Sequence, residues 1–375
     1  MQKLEYMDRL FQLAKRHRNS KRSYLLVNPY QAKHIPVSPG TALTMMRQLG
    51  EKLADKYTEI TLVVGFAETA TAVGTVVASA FGSGCVYLHT TREVVISDVS
   101  WIPFSEEHSH AVEHMLYAPP IENLKQPVSH IILVDDEIST GKTVRNMVYQ
   151  IRDKYTHLRD TTFIAASLIN RVSESDEKKM LDEGIVCEYL KKVPNEDYGN
   201  CMDMITAEAP ASVSCSDDKA VWETVHTAQK LLNPRTGTDI AIYTENCVVF
   251  AEEVADKLCM WLKDAHRLLV LGTEECMYPA LIVGEVLESQ GKVVLCHATT
   301  RSPIGICRDE DYPIRSGYIL RSFYDPQRTT YIYNLQTYDA VLVVTDSMSD
   351  VESGMEDLVY AAKTHHNKSF IIIRG

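Results

Sequence analysis

The chain has 375 residues, enough for two domains that each bury a core, and 45% of them are hydrophobic and 23% charged, as in a globular protein. A formal net charge of -12 excludes a general nucleic-acid binder, which needs a broadly basic face. Nine cysteines without CxxC pairs exclude a disulfide framework or zinc ribbon, and no apolar run approaches the ~18 residues that span a bilayer, so the expectation is a cytoplasmic protein that engages neither nucleic acid nor membrane.

In chain order, MQKLEYMDRLFQLAKRHRNSKR is basic and amphipathic; Glu5, Asp8 and the lack of an apolar stretch separate it from a targeting peptide, and it reads as a docked helix. ITLVVGF is a continuous apolar strand ending near Gly65, ATAVGTVVASAF a helix, CVYLHTTR a strand, HIILVDD a strand, KTVRNMVYQIRDKY a helix and TFIAASLIN a strand. Continuous apolar strands alternating with helices predict an α/β fold, a Rossmann-like layer with a mainly parallel sheet covered on both faces. Ligands of such sheets sit at the carboxyl ends of strands, here Gly65 onward, Thr90 to Arg92 and Asp135 onward.

The pattern then repeats. The pairs Asn28/Asn233, Gly65/Gly272, Arg92/Arg301 and Asp136/Asp346 are colinear at separations of 205, 207, 209 and 210, and the halves share Asn-Pro and Thr-Thr-Arg at matching stations. Duplication is the reading, with a polar junction between the halves: a first domain over 1–190, a linker over 191–228 and a degenerate second copy over 229–375.

The stretch IILVDDEISTGKT resembles a phosphate cradle but is no kinase-type P-loop, because Asp136 stands where that loop needs its first glycine. What remains is a strand ending in two acids, then a tight loop opening a helix. Backbone amides and the helix dipole suit a phosphate monoester, and the acids suit sugar hydroxyls, so a sugar phosphate satisfies both.

These residues resemble the signature of type I phosphoribosyltransferases, which use phosphoribosyl pyrophosphate (PRPP). The resemblance implies that Asp135 and Asp136 hold the ribose hydroxyls while Ser139, Thr140, Gly141, Lys142 and Thr143 wrap the 5-phosphate. It further implies that Gly65, Phe66, Ala67, Glu68 and Thr69 present amides to the diphosphate, that Arg92 neutralises the leaving group, and that residues 93–126 form a hood. The whole chain is similar to a subgroup encoded with tellurite-resistance clusters, whose C-terminal domain is named for the motif found here as Thr300-Arg301-Ser302-Pro303. The implied activity is Mg2+-dependent transfer from PRPP to a nucleobase-like nitrogen heterocycle; homodimerisation is left open, and Glu137, Glu68 and Lys142 are candidates for water-mediated metal or phosphate contacts, with structural roles an equal alternative.

Ser139 occupies a position where purine-salvage relatives can carry an Asp base, which weakens a purine-salvage reading. In the second half VTDSMSDVESG keeps Asp346 but gains Asp350 and Glu352, whose charge opposes a phosphoester; a second pocket is expected at Thr300, Arg301, Ser302 and Asp346, for a less anionic ligand or as a vestige. His110, Glu113 and His114 fit the H-x-x-E-H pattern of some zinc peptidases, without a third ligand to complete a site. Trp101, Phe104 and Tyr117 are candidates to stack on a base or to form the hood's own core. A PRPP sensor without turnover is an alternative, though no DNA-reading element accompanies it; a PRPP synthetase is another, opposed by the intact loop lying in the first half.

Overall fold

The computed structural model describes residues 10–17, 22–93, 100–104, 114–125, 127–213, 219–349 and 351–375. Its strands are, in order, β1 (Gln12–Lys15), β2 (Tyr24–Val27), β3 (Ile60–Gly65), β4 (Val86–His89), β5 (Trp101–Phe104) and β6 (His114–Tyr117). Then come β7 (His130–Ile138), β8 (Thr162–Asn170), β9 (Ile185–Lys192), β10 (Ala211–Ser212), β11 (Glu223–His226) and β12 (Thr238–Asp239). The remaining strands are β13 (Arg267–Gly272), β14 (Val293–Ala298), β15 (Gly317–Arg321), β16 (Thr329–Tyr333), β17 (Ala340–Thr345) and β18 (Phe370–Arg374).

The chain divides into two compact units, one of residues 44–196 and 232–245, the other of 1–43, 197–231 and 246–375. The first holds a six-stranded sheet of order β12-β4-β3-β7-β8-β9, parallel except for β12. Its core packs Leu62, Val64, Leu88, Ile131 and Leu133 of the strands against Val144, Met147, Val148 and Ile151 of the helix Lys142–Lys154, the buried stripe that helical spacing dictates. The second unit holds a five-stranded parallel sheet of order β11-β18-β17-β13-β14 over a core that includes Leu269, Val341, Val343, Leu358 and Ile372.

The two sheets share more than class. In each, four adjacent strands run in the order second, first, third, fourth, as β4-β3-β7-β8 and β14-β13-β17-β18. Phe66 N donates to Val134 O at 2.8 Å and Thr273 N to Val344 O at 3.3 Å; Thr90 N donates to Gly65 O at 2.9 Å and Thr299 N to Gly272 O at 3.0 Å. Ala67 N donates to Thr90 Oγ1 at 2.8 Å, and Glu274 N to Thr299 Oγ1 at 3.0 Å. Beyond the second strand, Thr91 bridges to Met115 in the hairpin β5-β6, and Thr300 to Tyr331 in the hairpin β15-β16.

Three expectations from sequence differ from the structure. Residues 12–15 are a strand rather than helix, because antiparallel pairing of β1 with β2 buries Ala14 and takes up the backbone groups that a helix would satisfy internally; residues 1–9 lie outside the described part. The expected linker is structured in part, since β11 extends the second sheet beside β18. The unit limits also depart from the expected domain limits of 190 and 229. The Asn-Pro segments trade places: Asn28 and the residues after it join the second unit, where Val37 bridges Cys296 on β14, while residues 232–245 join the first, where β12 edges β4. Both segments begin with the same turn, in which Asn28 Oδ1 accepts from Tyr30 N at 2.9 Å and Asn233 Oδ1 from Arg235 N at 3.1 Å.

Candidate functional site

The site in the first unit comes from unequal strand lengths. β3 pairs with β7 only as far as Gly65 opposite Val134, while β8 accompanies β7 to Asn170 opposite Ile138. Past Val134, β7 is therefore flanked on one side only, and Asp135 and Asp136 lie along the uncovered edge. The strand continues through Glu137 to Ile138, two residues beyond the end expected from the apolar pattern, because its pairing with β8 persists where its hydrophobicity stops.

Asp135 and Asp136 are half-buried neighbours: Asp136 N donates to Asp135 Oδ1 at 2.9 Å, and Thr69 Oγ1 donates to Asp136 Oδ1 at 2.7 Å. Burial pushes the Asp136 carboxyl above its ordinary range, against the lowering effect of its hydrogen bonds with Asp135 and Thr69, and the nearby charge of Glu137 adds to the rise. Glu137, a candidate metal or phosphate contact by sequence, instead pairs with the buried guanidinium of Arg171 at 3.1 Å. Arg374, the matching residue at the end of β18, donates to the carbonyl of Ser347 at 3.1 Å, so an arginine at the close of the fourth strand holds the end of the third strand in the first unit and the loop after the third strand in the second.

After Ile138 the chain turns through Ser139 and Thr140 to Gly141, which caps the helix Lys142–Lys154. Gly141 has φ +73°, and a Cβ there would lie 2.5 Å from Met180 Sδ, so both backbone and packing demand glycine. Because the cap is glycine, the cap position itself supplies no side-chain hydrogen bond to the helix. Thr140 Oγ1 accepts from Lys142 N at 3.3 Å, Lys142 is exposed and Thr143 is half-buried. A helix N-terminus of this kind directs amides and the positive end of its dipole outward, the arrangement that receives a phosphate.

The loop after β3 faces the acid pair through Thr69. A side chain at Gly65 would meet Tyr87 Oη at 2.9 Å and Ala70 O at 3.1 Å, so the loop can return closely over its own strand only with glycine there. Of the expected amide donors, those of Phe66 and Ala67 are already engaged by Val134 O and Thr90 Oγ1. Glu68 and Thr69 form the outer part of the loop, and the peptide between Ala67 and Glu68 is cis. Arg92 follows buried Thr90 and Thr91 at the end of β4. Sequence reading undervalued Thr90, whose hydroxyl accepts from Ala67 N and so holds the loop after β3 in place.

Of the hood, residues 94–99, 105–113 and Gln126, with His110 and Glu113 of the peptidase-like pattern, lie outside the described residues. The described part is the β5-β6 hairpin. Phe104 is buried in the core, edge-on to Phe66 at 5.8 Å, and is not a base-stacking surface; Trp101 and Tyr117 pair edge-on at 5.2 Å. No group of three or more metal-ligating side chains occurs among the described residues. A groove of ≈ 290 Å3 along Arg145, Tyr149, Arg152 and Glu183 lies away from the strand ends, and its arginines are occupied by Glu183 and by the Thr161 carbonyl.

In the second unit, Arg301 Nε lies 2.7 Å from the Glu274 carboxylate, Asp346 accepts from Tyr324 Oη, and Thr300 Oγ1 accepts from Ser302 N at 3.1 Å. The four residues expected to line a pocket are thus drawn into the protein's own contacts. Glu274, Ser322, Tyr324 and Arg328 were not singled out by sequence. The signal for Glu274 was available in the repeat itself, which sets a carboxylate opposite Ala67.

Residues 10–188 match the family model described as phosphoribosyl transferase, and residues 237–361 match the TRSP domain described as C-terminal to it. No curated protein matches significantly. Among solved structures, adenine phosphoribosyltransferase from Rhodothermus marinus DSM 4252 is 14% identical, with 51% of this chain and 99% of that chain covered and a TM-score of 0.38. Adenine phosphoribosyl transferase from Trypanosoma brucei, in complex with AMP, pyrophosphate and ribose-5-phosphate, is 16% identical over 51% of this chain and 79% of that one, with a TM-score of 0.36. Orotate phosphoribosyltransferase from Mycobacterium tuberculosis H37Rv, in complex with inorganic phosphate, is 14% identical over 51% and 94%, with a TM-score of 0.31.

Proposed function

From a chain that belongs to the phosphoribosyl transferase family bearing a C-terminal TRSP domain, we propose an enzyme that transfers the 5-phosphoribosyl group of PRPP to a nucleobase-like nitrogen heterocycle and releases diphosphate. The observation that carries this reading is the overhang of β7: two carboxylates on its uncovered edge, tied to the loop after β3 through Thr69, and followed within one turn by a helix N-terminus capped by glycine. Carboxylates accept from ribose hydroxyls, and amides at the helix N-terminus receive the 5-phosphate. The two ends of one sugar phosphate are then held by one strand-loop-helix unit.

Transfer breaks the bond from the anomeric carbon to the diphosphate oxygen and forms a bond to the acceptor nitrogen, with positive charge building on the ribose between the two events. Positioning and charge stabilisation supply the catalysis. Asp135 and Asp136 fix the sugar so that the anomeric carbon faces the loop after β3. Arg92 offers a planar fork that matches the oxygens of the departing diphosphate. Glu137 stays paired to Arg171 and keeps the overhanging strand in place. Asp135 and Asp136, hard oxygen groups at the expected ribose end, would suit a magnesium ion held mainly by substrate oxygens and water. When bound, such an ion neutralises charge on the diphosphate.

The test is incubation of the whole protein with PRPP, magnesium and a panel of purine, pyrimidine and other nitrogen heterocycles, with diphosphate release as readout. Release that depends on one acceptor class supports transfer. PRPP binding without release for any acceptor identifies a sensor, and AMP formation from ribose 5-phosphate and ATP identifies a synthetase.

A further inference from the structure

The second unit answers its own binding chemistry. By hydrogen bonding, Glu274 occupies the station of Ala67: each follows the glycine at the end of the first parallel strand by two residues, and each donates its amide to the threonine that ends the second. At that station the first unit has a methyl group and the second a carboxylate. Glu274 is fully buried, and its backbone is held at φ +47°, a left-handed conformation that a residue with a side chain adopts only where the surroundings compel it.

The surroundings are a set of donors. One carboxylate oxygen lies 2.7 Å from Arg301 Nε and 3.4 Å from Arg328 Nη1, and the other accepts from the Ser322 hydroxyl. Buried Lys33 secures the backbone beneath, donating to the carbonyls of Glu274 and Thr299 at 3.1 Å each. Ser322 and Arg328, with Tyr324, belong to the turn joining β15 to β16, and the Tyr324 hydroxyl lies within hydrogen-bond reach of both the Asp346 carboxylate and the Thr273 carbonyl. Two guanidinium groups and a hydroxyl converging on two oxygens form the donor set that recognises a phosphate or carboxylate oxyanion.

We propose that Glu274 is a built-in anionic ligand of the second unit. Its carboxylate fills an oxyanion site made by Arg301, Arg328 and Ser322, and Tyr324 covers the remaining acid, Asp346. While Glu274 is in place the unit takes no phosphate ester; with that carboxylate removed it becomes a site for phosphate or diphosphate. The arginine of the Thr-Arg-Ser-Pro motif is on this reading a partner of Glu274 before it is a substrate contact. The inference rests on geometry within the second unit and stands whether or not the first unit transfers phosphoribosyl groups.

The test compares whole wild-type protein with Glu274→Ala and Glu274→Gln, using inorganic phosphate and pyrophosphate as probes in titration calorimetry and thermal denaturation. The wild type supplies the background of any first-unit binding. Glu274→Ala is expected to bind one additional equivalent of pyrophosphate or phosphate, to lose it again on adding Arg301→Ala, and to regain stability in acetate but not in chloride of equal ionic strength. Glu274→Gln keeps the side chain in the site without its charge and is expected to respond to phosphate less than the alanine variant; Glu274→Gly, which suits the positive φ and also empties the site, serves if the alanine variant does not fold, and phosphate is expected to raise its melting temperature more than that of the wild type. An unchanged phosphate response in every folded variant overturns the proposal. So does pyrophosphate-dependent slowing of amide exchange at residues 299–302 in the wild type, because it means that Glu274 does not exclude the anion.

Discussion

Thr69 Oγ1 donates to Asp136 Oδ1 at 2.7 Å, joining the loop after the first parallel strand to the acid edge of the third across 67 positions of sequence. That bond sets the spacing between the group expected to face diphosphate and the group expected to face ribose. The double variant Asp135→Asn, Asp136→Asn is predicted to weaken PRPP binding by about a hundredfold or more, from the loss of charge-assisted hydrogen bonds at ~1.5–3 kcal/mol each. Thr69→Val is predicted to cost about tenfold. Calorimetric titration with PRPP and magnesium checks both, and unchanged affinity in the double variant removes the ribose assignment.

The same burial makes a prediction about stability. A carboxyl raised above its unfolded value binds its proton more tightly in the folded state, so the fold loses stability as pH rises from the unfolded pKa through the folded one. At neutral pH, above the unfolded pKa, this raised affinity for the proton therefore opposes folding. Asp136→Asn is predicted to raise the melting temperature of the ligand-free protein at pH 7 while it lowers PRPP affinity, and the gain should shrink as pH falls toward 4. A lower melting temperature at pH 7 counts against this account.

Gly141 is irreplaceable for two independent reasons, its positive φ and the 2.5 Å approach of Met180 Sδ to a new Cβ. Gly141→Ala is predicted to destabilise by about 1–3 kcal/mol through backbone conformation alone. Adding Met180→Ala relieves the contact but not the dihedral, so it should not restore PRPP binding. Denaturant unfolding read beside titration separates the two effects.

His297 bears on the second unit. It is buried, neither ring nitrogen has a hydrogen-bond partner among the described residues, and burial, with neighbouring His34 and Lys33, lowers its pKa to about 3. For a base depressed in the folded state, stability is complete above the unfolded value near 6.5 and falls as pH drops toward 3, by at most ~1.4 kcal/mol per pH unit. Melting curves from pH 7 to 5 should show this loss, and His297→Leu should flatten it. An equal slope in the leucine variant assigns the acid sensitivity elsewhere.

Because residues 232–245 complete the first unit, a fragment ending at residue 231 should not fold on its own. It leaves the β4 edge without β12 and removes Tyr243 from its stack on Tyr87, 6.3 Å between ring centroids. Circular dichroism and proteolysis of that fragment are predicted to show loss of cooperative structure, whereas a sharp thermal transition would show that the exchanged segment is dispensable.

What the sequence determined by itself is local. Apolar runs ending in glycine or acid, alternating with helical stripes, specified parallel α/β layers; Asp135, Asp136 and Gly141 were legible because a strand, a turn and a helix N-terminus follow one another along the chain. The repeat was legible as well, down to the Asn-Pro and Thr-Thr-Arg stations that reappear as matching turns and bridges. Only the tertiary structure decided the pairings. That β7 outruns β3, that Arg171 claims Glu137, that residues 12–15 pair with β2 instead of coiling, and that the Asn-Pro segments trade units all depend on partners remote in sequence, which periodicity does not encode. Glu274 shows the reason most plainly: an acid in a loop is by pattern a solvated residue, and it becomes a buried ligand only where Arg301, Ser322 and Arg328, 27 to 54 positions away, converge on its carboxylate.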